Sequence, residues 1–308
     1  MSTLPTVIVF GGTGPTGESI VNGLSESKAF NVVVPTRPSS ISKPNIEAFR
    51  AKGASVVPIE ISSATHDQLK ELMKGADTVI SVLVYTQLQL QRKLVDAAKE
   101  AGIKRFIPCD FGTTGKRGWR ELYDEKLGIR DYVKESGIGY TFVDVGFWYQ
   151  VNLPMISPKQ TPYPFAFEPS RYFYGDGNTK TACIDLGDIG RFVARIIADP
   201  RTLNHYVFAW GEELTQKELF DCARELGDPN FQFIPKSAED LEQLLSNTDI
   251  PITLWQYHKN MWVLGENTVE NAKKEEFGGA LDARELYPDL KVKTLREVAP
   301  AYYAPYKV

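Results

Sequence analysis

Short apolar runs alternate with stretches of helical period through the first half of the chain. Thr6 to Phe10, Asn31 to Thr36, Ser55 to Ile59, Thr78 to Val84, Arg105 to Pro108 and Tyr140 to Val145 are rich in β-branched residues, the pattern of strands buried on both faces. Between them, residues 44–52, 65–74, 88–101 and 121–136 place apolar side chains three and four apart, as amphipathic helices do. Thr65 followed by Gln68 has the form of a capping box, which marks one helix start. Strand, helix and strand repeated in this way predict an α/β fold: a Rossmann-type, doubly wound parallel sheet with right-handed crossovers.

The rhythm breaks after Val145. Residues 152–170 carry prolines at 154, 158, 162, 164 and 169 and little periodicity, so a boundary is placed there. Tyr172 to Tyr174, the turn Gly175-Asp176-Gly177-Asn178, and Thr179 to Ile184 suggest an extended pair. Asp188 to Ala198 reads as a helix and His205 to Ala209 as a further strand. Thr215 with Glu218 forms a second capping box, and Ser237 to Leu245 and Ile252 to Val263 are amphipathic. The expected organisation is a dinucleotide-binding domain over residues 1–150 with a return segment at about 180–210. A smaller, helix-rich substrate domain is expected from 151–179 and 211–308.

Composition adds bounds. With 308 residues, 43% hydrophobic and 24% charged, the chain can bury a substantial core without disulfides or metal. A net charge of −4 and no basic block argue against a sequence-independent grip on nucleic acid. The N-terminal residues run into a strand without a leader pattern, and the longest apolar runs, such as Val79 to Tyr85, fall short of the roughly 20 residues needed to cross a bilayer. A cytoplasmic protein is expected, either monomer or homodimer. Cys109, Cys183 and Cys222, and His66, His205 and His258, lack metal-ligand spacing, so no metal is expected.

The chemistry begins at Gly11-Gly12-Thr13-Gly14-Pro15-Thr16-Gly17, a Gly-x-Gly-x-x-Gly spacing that follows the first strand and opens the first helix. Glycines there permit a tight turn and close backbone approach, while the helix N-terminus offers N–H groups to a pyrophosphate. The plain alternative is a glycine turn with no ligand, and the strand-turn-helix setting weighs against it. Cofactor choice is read at the end of the second strand, where an acidic residue would bind the ribose of NAD. This chain has Thr36-Arg37 there and no Asp or Glu from Ser27 to Ile46. Arg37 can pair with a 2′-phosphate through its planar fork and Lys43 can add a point charge, which favours NADPH over NADH. The competing reading leaves Arg37 as a solvated loop residue.

Gly11 to Gly17, Arg37, Thr86-Gln87-Leu88 and Phe106-Ile107-Pro108-Cys109-Asp110-Phe111-Gly112 together resemble the isoflavone reductase-like and phenylcoumaran benzylic ether reductase-like branch of the NmrA-like atypical short-chain dehydrogenases. Lys126 to Arg130, Gly139 to Val143, Gly175 to Asn178, Asp199 to Asn204 and Tyr287-Pro288-Asp289 continue the likeness in order and spacing over nearly the whole chain. The resemblance implies that Lys126 transfers a proton and that Gln87, Phe111, Lys126 and Phe147 join the glycine turn among the cofactor-binding positions. Arg130 matches a family arginine near the same site. Tyr123, a possible catalytic partner, stands three residues before Lys126, not four as in ordinary short-chain dehydrogenases. Partial burial, or the charge of an oxidised nicotinamide, would lower the Lys126 pKa. Plant members usually carry Pro-Ser-Glu-Phe-Gly where this chain has Pro108-Cys109-Asp110-Phe111-Gly112, and a small-residue segment where it has Gly146-Phe147-Trp148-Tyr149. Phe111, Phe147, Trp148 and Tyr149 form either an apolar wall for nicotinamide and substrate or a core cluster. Trp148, Tyr149 and Arg130 are the candidate substrate contacts.

Several residues read more plainly. Cys109, at a strand end, has no histidine nearby in sequence to activate it. Asp110 and Asp185 read as caps or loop carboxylates, with an orienting role at the site as the alternative. Trp255, Tyr257 and Trp262 read as packing in the C-terminal part or as a pocket roof. The expected function is an NADPH-dependent reductase of a small aromatic or phenolic specialised metabolite, with Lys126 assisting proton transfer. The alternative is an NADP(H)-binding redox sensor of the NmrA type that acts through a protein partner without turnover.

Overall fold

The computed structural model describes residues 4–246 and 251–306. Strands β1 (Thr6–Phe10), β2 (Asn31–Thr36), β3 (Ser55–Pro58), β4 (Thr78–Ser81) and β5 (Arg105–Ile107) form a parallel sheet in the order β3-β2-β1-β4-β5. The order reverses about β1, so the carboxyl ends of β1 and β4 flank the switch point at which such sheets bind ligands. Next along the chain is β6 (Thr141–Val145), which meets β5 through a parallel bridge between Phe106 and Tyr140. Downstream strands are β7 (Phe147–Trp148), β8 (Tyr172–Tyr174), β9 (Lys180–Ile184), β10 (His205–Ala209), β11 (Glu212–Thr215), β12 (Ile234–Lys236) and β13 (Leu281–Asp282). Of these, β10 pairs in parallel with β6, and β13 with β10, which carries the sheet outward beyond β5.

Helices α1 (Pro15–Ser27), α2 (Pro44–Ala51), α3 (His66–Met73), α4 (Leu90–Glu100) and α5 (Glu121–Ser136) connect the first six strands. Strand β1 shows why both faces are covered. Val7 and Val9 pack into one core with Ile20, Leu24 and Phe192, while Ile8 and Phe10 pack into the other with Leu69, Leu94 and Phe106. Two single-turn helices, α6 (Tyr149–Asn152) and α7 (Pro164–Phe167), precede α8 (Leu186–Ala198), which lies directly on α1. Their backbones touch: a Cβ on Gly190 would stand 1.8 Å from the Ser19 carbonyl oxygen. A third core, with Trp255, Leu219, Phe220, Leu295 and Tyr303 at its heart, fills the smaller C-terminal lobe.

Three expectations are corrected. Residues 172–174 and 179–184 are both extended but do not pair with each other. Instead β8 pairs with β12, and β9 pairs with β11 and β7. The Gln216 side chain explains part of this, since it accepts from the Tyr174 N–H and donates to the Tyr172 carbonyl, occupying groups a hairpin partner would need. The fourth strand stops at Ser81, not Val84: the Val82 N–H still donates to Phe10 O at 2.8 Å, and Val82 to Val84 wall a groove beyond the strand end. The helix foreseen over 252–263 is α-helical to His258 and then widens into a π-turn over Lys259–Val263.

Candidate active site

The glycine turn is shaped by contact. Gly11 has φ +80°, and a Cβ there would stand 2.2 Å from the Val82 carbonyl oxygen. A Cβ on Gly17 would meet the Gly11 carbonyl at 2.2 Å, and one on Gly12 would meet Val34 Cγ1 at 2.6 Å. These glycines pack strand, turn and helix together. Gly14 differs: nothing lies within 3.6 Å of its would-be Cβ, and it caps α1 with its backbone alone. Pro15 opens the helix at its first position and Thr16 is buried behind the turn. The first-turn N–H groups are therefore presented with no side-chain cap, as an anion site requires.

Beside the turn runs a groove of about 140 Å³ walled by Gly11, Thr13, Gly14, Arg37, Lys43 and Gln87. Arg37 and Lys43 are exposed at one end, where the chain leaves β2. Glu60, two residues past β3, joins the same wall, and nothing in the spacing after β2 marks it. The residues present fit a dinucleotide with a 2′-phosphate: an open cradle, an uncapped helix end and two cations without a carboxylate partner among the described residues.

The next strand ends build the reacting corner. Asp110-Phe111-Gly112 folds into a turn pinned by Phe111 N–H donating to Val143 O at 2.8 Å and Val145 N–H donating to Gly112 O at 2.9 Å. Phe111 takes φ +39°, an unusual backbone for a bulky residue. Lys126, on α5, is partly buried and donates from Nζ to the Asp110 carbonyl at 2.5 Å. Its Nζ and the Tyr257 hydroxyl lie 3.3 and 3.4 Å from where a Cβ on Gly112 would stand, so amine and phenol converge over that glycine. Contrary to expectation, the Lys126 pKa is raised. Burial works to lower it, but Tyr257, Cys109, Asp110 and Asp144 together outweigh burial.

Beneath Lys126 lies a buried charge cluster. Arg130, 5% exposed, sits 3.0 Å from Asp110 Oδ2 and 2.8 Å from Asp144 Oδ2. Burial pushes the Asp110 carboxyl up to about 6 even with Arg130 beside it. Tyr123 is buried and donates to Asp144 Oδ2 at 3.4 Å, and burial raises its pKa as well. Arg130 is thus committed to two carboxylates and is not among the residues that wall the apolar cavity, so it does not stand where a substrate contact was expected. Asp185 caps α8 through the Gly187 N–H and also holds Gln150 and Lys293. Cys109 is pushed up to about 11, chiefly by burial, and its thiol donates to the Leu83 carbonyl, so it is not poised as a nucleophile.

An apolar cavity of about 480 Å³ opens beside Gly112, walled by Phe111, Phe147, Trp148, Tyr257, Tyr163 and Phe165 among others. That size suits a drug-sized or multi-ring ligand. Tyr149 belongs to the third core instead, fully buried with its hydroxyl donating to Glu212 Oε2 at 2.8 Å, which corrects its expected role. The cause is the turn from β7 into α6, which points Trp148 and Tyr149 in different directions. Tyr257 lines the cavity, whereas Trp255 and Trp262 pack in the core. Tyr85, exposed at the mouth, and Thr253 and Leu254 also line it and carried no local signal in sequence. Among the described residues, no group of His, Cys, Asp and Glu is arranged to hold a metal ion, and no helix is long and apolar enough to cross a membrane.

Comparison with known proteins gives this architecture a lineage. Asnovolin J 5′,6′-dehydrogenase of Aspergillus novofumigatus is 34% identical, covering 94% of this chain and 93% of its own. The isoflavone reductase homolog of Zea mays is 31% identical over 94% of this chain and 96% of its own. Among solved structures, the leucoanthocyanidin reductase–NADPH complex of Vitis vinifera matches with a TM-score of 0.81 at 25% identity, covering 97% of this chain and 99% of that one. The pattern of the NmrA-like family matches residues 4–299, and the chain belongs to that family, among its isoflavone reductase-like members.

Proposed function

We propose that this protein is an NADPH-dependent oxidoreductase that reduces a small, apolar, ring-bearing metabolite of aromatic or phenolic type. One observation carries the reading: Lys126 Nζ stands over Gly112, which is itself a wall of the apolar cavity. Relatives named as reductases and a dehydrogenase support it, as does the NADPH in the leucoanthocyanidin reductase structure. A sensor without turnover would have no use for an ammonium that walls a recess adjoining a cavity of substrate size.

In this reading the first turn of α1 holds the pyrophosphate through backbone N–H groups, and Arg37 and Lys43 neutralise the 2′-phosphate. NADPH, when bound, supplies a hydride from nicotinamide C4. Phe111 and Phe147 keep water from the reacting corner, and Trp148 offers the substrate ring an apolar face. Lys126, fixed by the Asp110 carbonyl, holds its proton on Nζ until the reduced substrate takes it. The Asp110–Arg130–Asp144 cluster sets the turn that places that carbonyl.

Purified protein is tested for loss of NADPH absorbance against a panel of enones, carbonyls, imines and benzylic ethers bearing aromatic rings. Turnover on at least one class is expected, with Lys126→Ala lowering kcat by about 10²-fold or more while NADPH still binds. Full turnover in Lys126→Ala would remove the lysine from the mechanism, and no turnover on any class would remove the reductase reading.

A further inference from the structure

Arg120 is buried as deeply as Arg130, 3% against 5% exposed, yet among the described residues no carboxylate pairs with it. Its Nη1 donates to Thr113 Oγ1 at 2.7 Å and its Nη2 to the Thr113 carbonyl at 3.0 Å, while Nε has no partner. The guanidinium lies 4.3 Å from the centre of the Tyr123 ring and 5.7 Å from that of Tyr257. Room for it comes from Gly115, where a Cβ would stand 2.5 Å from Nη2. A buried cation with no counter-charge is costly, and functional sites are where a fold tolerates such a cost.

The place for that anion is adjacent. Arg120, Lys126, Tyr123, Tyr257 and Gly112 wall a recess of about 10 Å³, room for one water-sized group. Gly112, Thr253 and Tyr257 also line the 480 Å³ cavity, so the recess adjoins its inner wall. Two cations therefore border a space for a single oxygen, at the edge of a cavity that is otherwise apolar.

We infer that this recess is an oxyanion subsite, in which Arg120 and Lys126 together hold a phenolate or enolate oxygen of the ligand. The inference rests on the proposed reductase function and deepens it. Hydride arriving at a carbon conjugated to an oxygen displaces an electron pair onto that oxygen, and the charge is quenched by the proton from Lys126. Arg120 stabilises the charged oxygen during that interval, from a position fixed before the reaction starts.

The test needs no turnover. 4-Nitrophenol is titrated into the full-length protein, and its phenolate absorbance is followed against pH for wild type, Arg120→Met and Arg120→Lys, with circular dichroism reporting the fold. Wild type is expected to lower the apparent pKa of the bound probe by about one unit, a tenfold preference for phenolate. Arg120→Met is expected to abolish that preference and Arg120→Lys to keep part of it. Should Arg120→Met fail to fold, a reduced but measurable preference in Arg120→Lys supports the subsite. Absence of phenolate preference in wild type, or an equal preference in the variants, overturns it. Because the readout is binding, an Arg120-dependent preference in a protein that never consumes NADPH would keep the subsite and reject the reductase.

Discussion

Lys126 Nζ stands 3.3 Å from the position a Cβ on Gly112 would occupy, so the absence of that one carbon sets where the amine rests. Gly112 has no positive φ that demands glycine, and its role is spatial. Gly112→Ala is expected to displace the flexible ends of Lys126 and Tyr257 by a few tenths of an ångström with little loss of stability. A fall of about tenfold in kcat is expected, because small misplacements of a reacting group are expensive in rate. Steady-state kinetics with a thermal melt separates the two effects, and unchanged kcat would show the contact to be incidental.

The raised pKa of Lys126 fixes a pH dependence. Burial alone would lower it, but the surrounding Tyr257, Cys109, Asp110 and Asp144 outweigh burial, so the ammonium persists to higher pH than in an ordinary lysine. As the proposed proton donor for reduction, it stays loaded across neutral pH. The kcat/KM for reduction is expected to be flat from about pH 7 to 9 and to fall only above the ordinary lysine range. Below about 6, protonation of Asp110 removes one of the charges that hold Lys126 and Arg130, and activity should fall there too. A descending limb centred near neutrality would assign the proton to another group.

Arg37 is the proposed contact for the 2′-phosphate, and so for the choice between cofactors. Arg37→Ala is expected to weaken NADPH by about tenfold, the worth of roughly 1.4 kcal/mol, while NADH binding changes little. Fluorescence titration of both nucleotides checks this, with wild type preferring NADPH at least tenfold. Equal loss for the two would place Arg37 against the adenine instead of the phosphate.

Arg130 is a matter of stability. Its removal leaves Asp110 and Asp144 buried beside each other without the cation that pairs with both. Arg130→Met is expected to cost about 3–5 kcal/mol in urea unfolding, the cost seen when one partner of a buried ion pair is lost. A cost under about 1 kcal/mol would mean that water or protonation of Asp110 compensates.

The first half of the fold was legible because its signals are local. Strand and helix periodicity, two capping boxes and the glycine turn each depend on neighbours within a few residues, and β1, β2, β10 and α5 fall where those signals put them. The groove followed from the same reasoning, since Gly11 to Gly17 and Arg37 are tied to consecutive strand ends. Legibility declined where partners are remote. Apolar residues at 82–84 looked like strand because an exposed groove wall and a buried strand share a composition.

What the sequence determined by itself was a parallel α/β sheet with a glycine-rich turn at its first strand end and a basic group at its second, because those features are written in spacing. Tertiary structure alone decided which of two adjacent aromatics, Trp148 or Tyr149, faces the cavity. It also decided which of two arginines on or beside one helix, Arg120 or Arg130, receives carboxylate partners, and that Tyr257 from the C-terminal lobe meets Lys126. Such outcomes depend on chain segments far apart in sequence arriving at the same few ångströms, and no local pattern encodes a partner that only folding brings near.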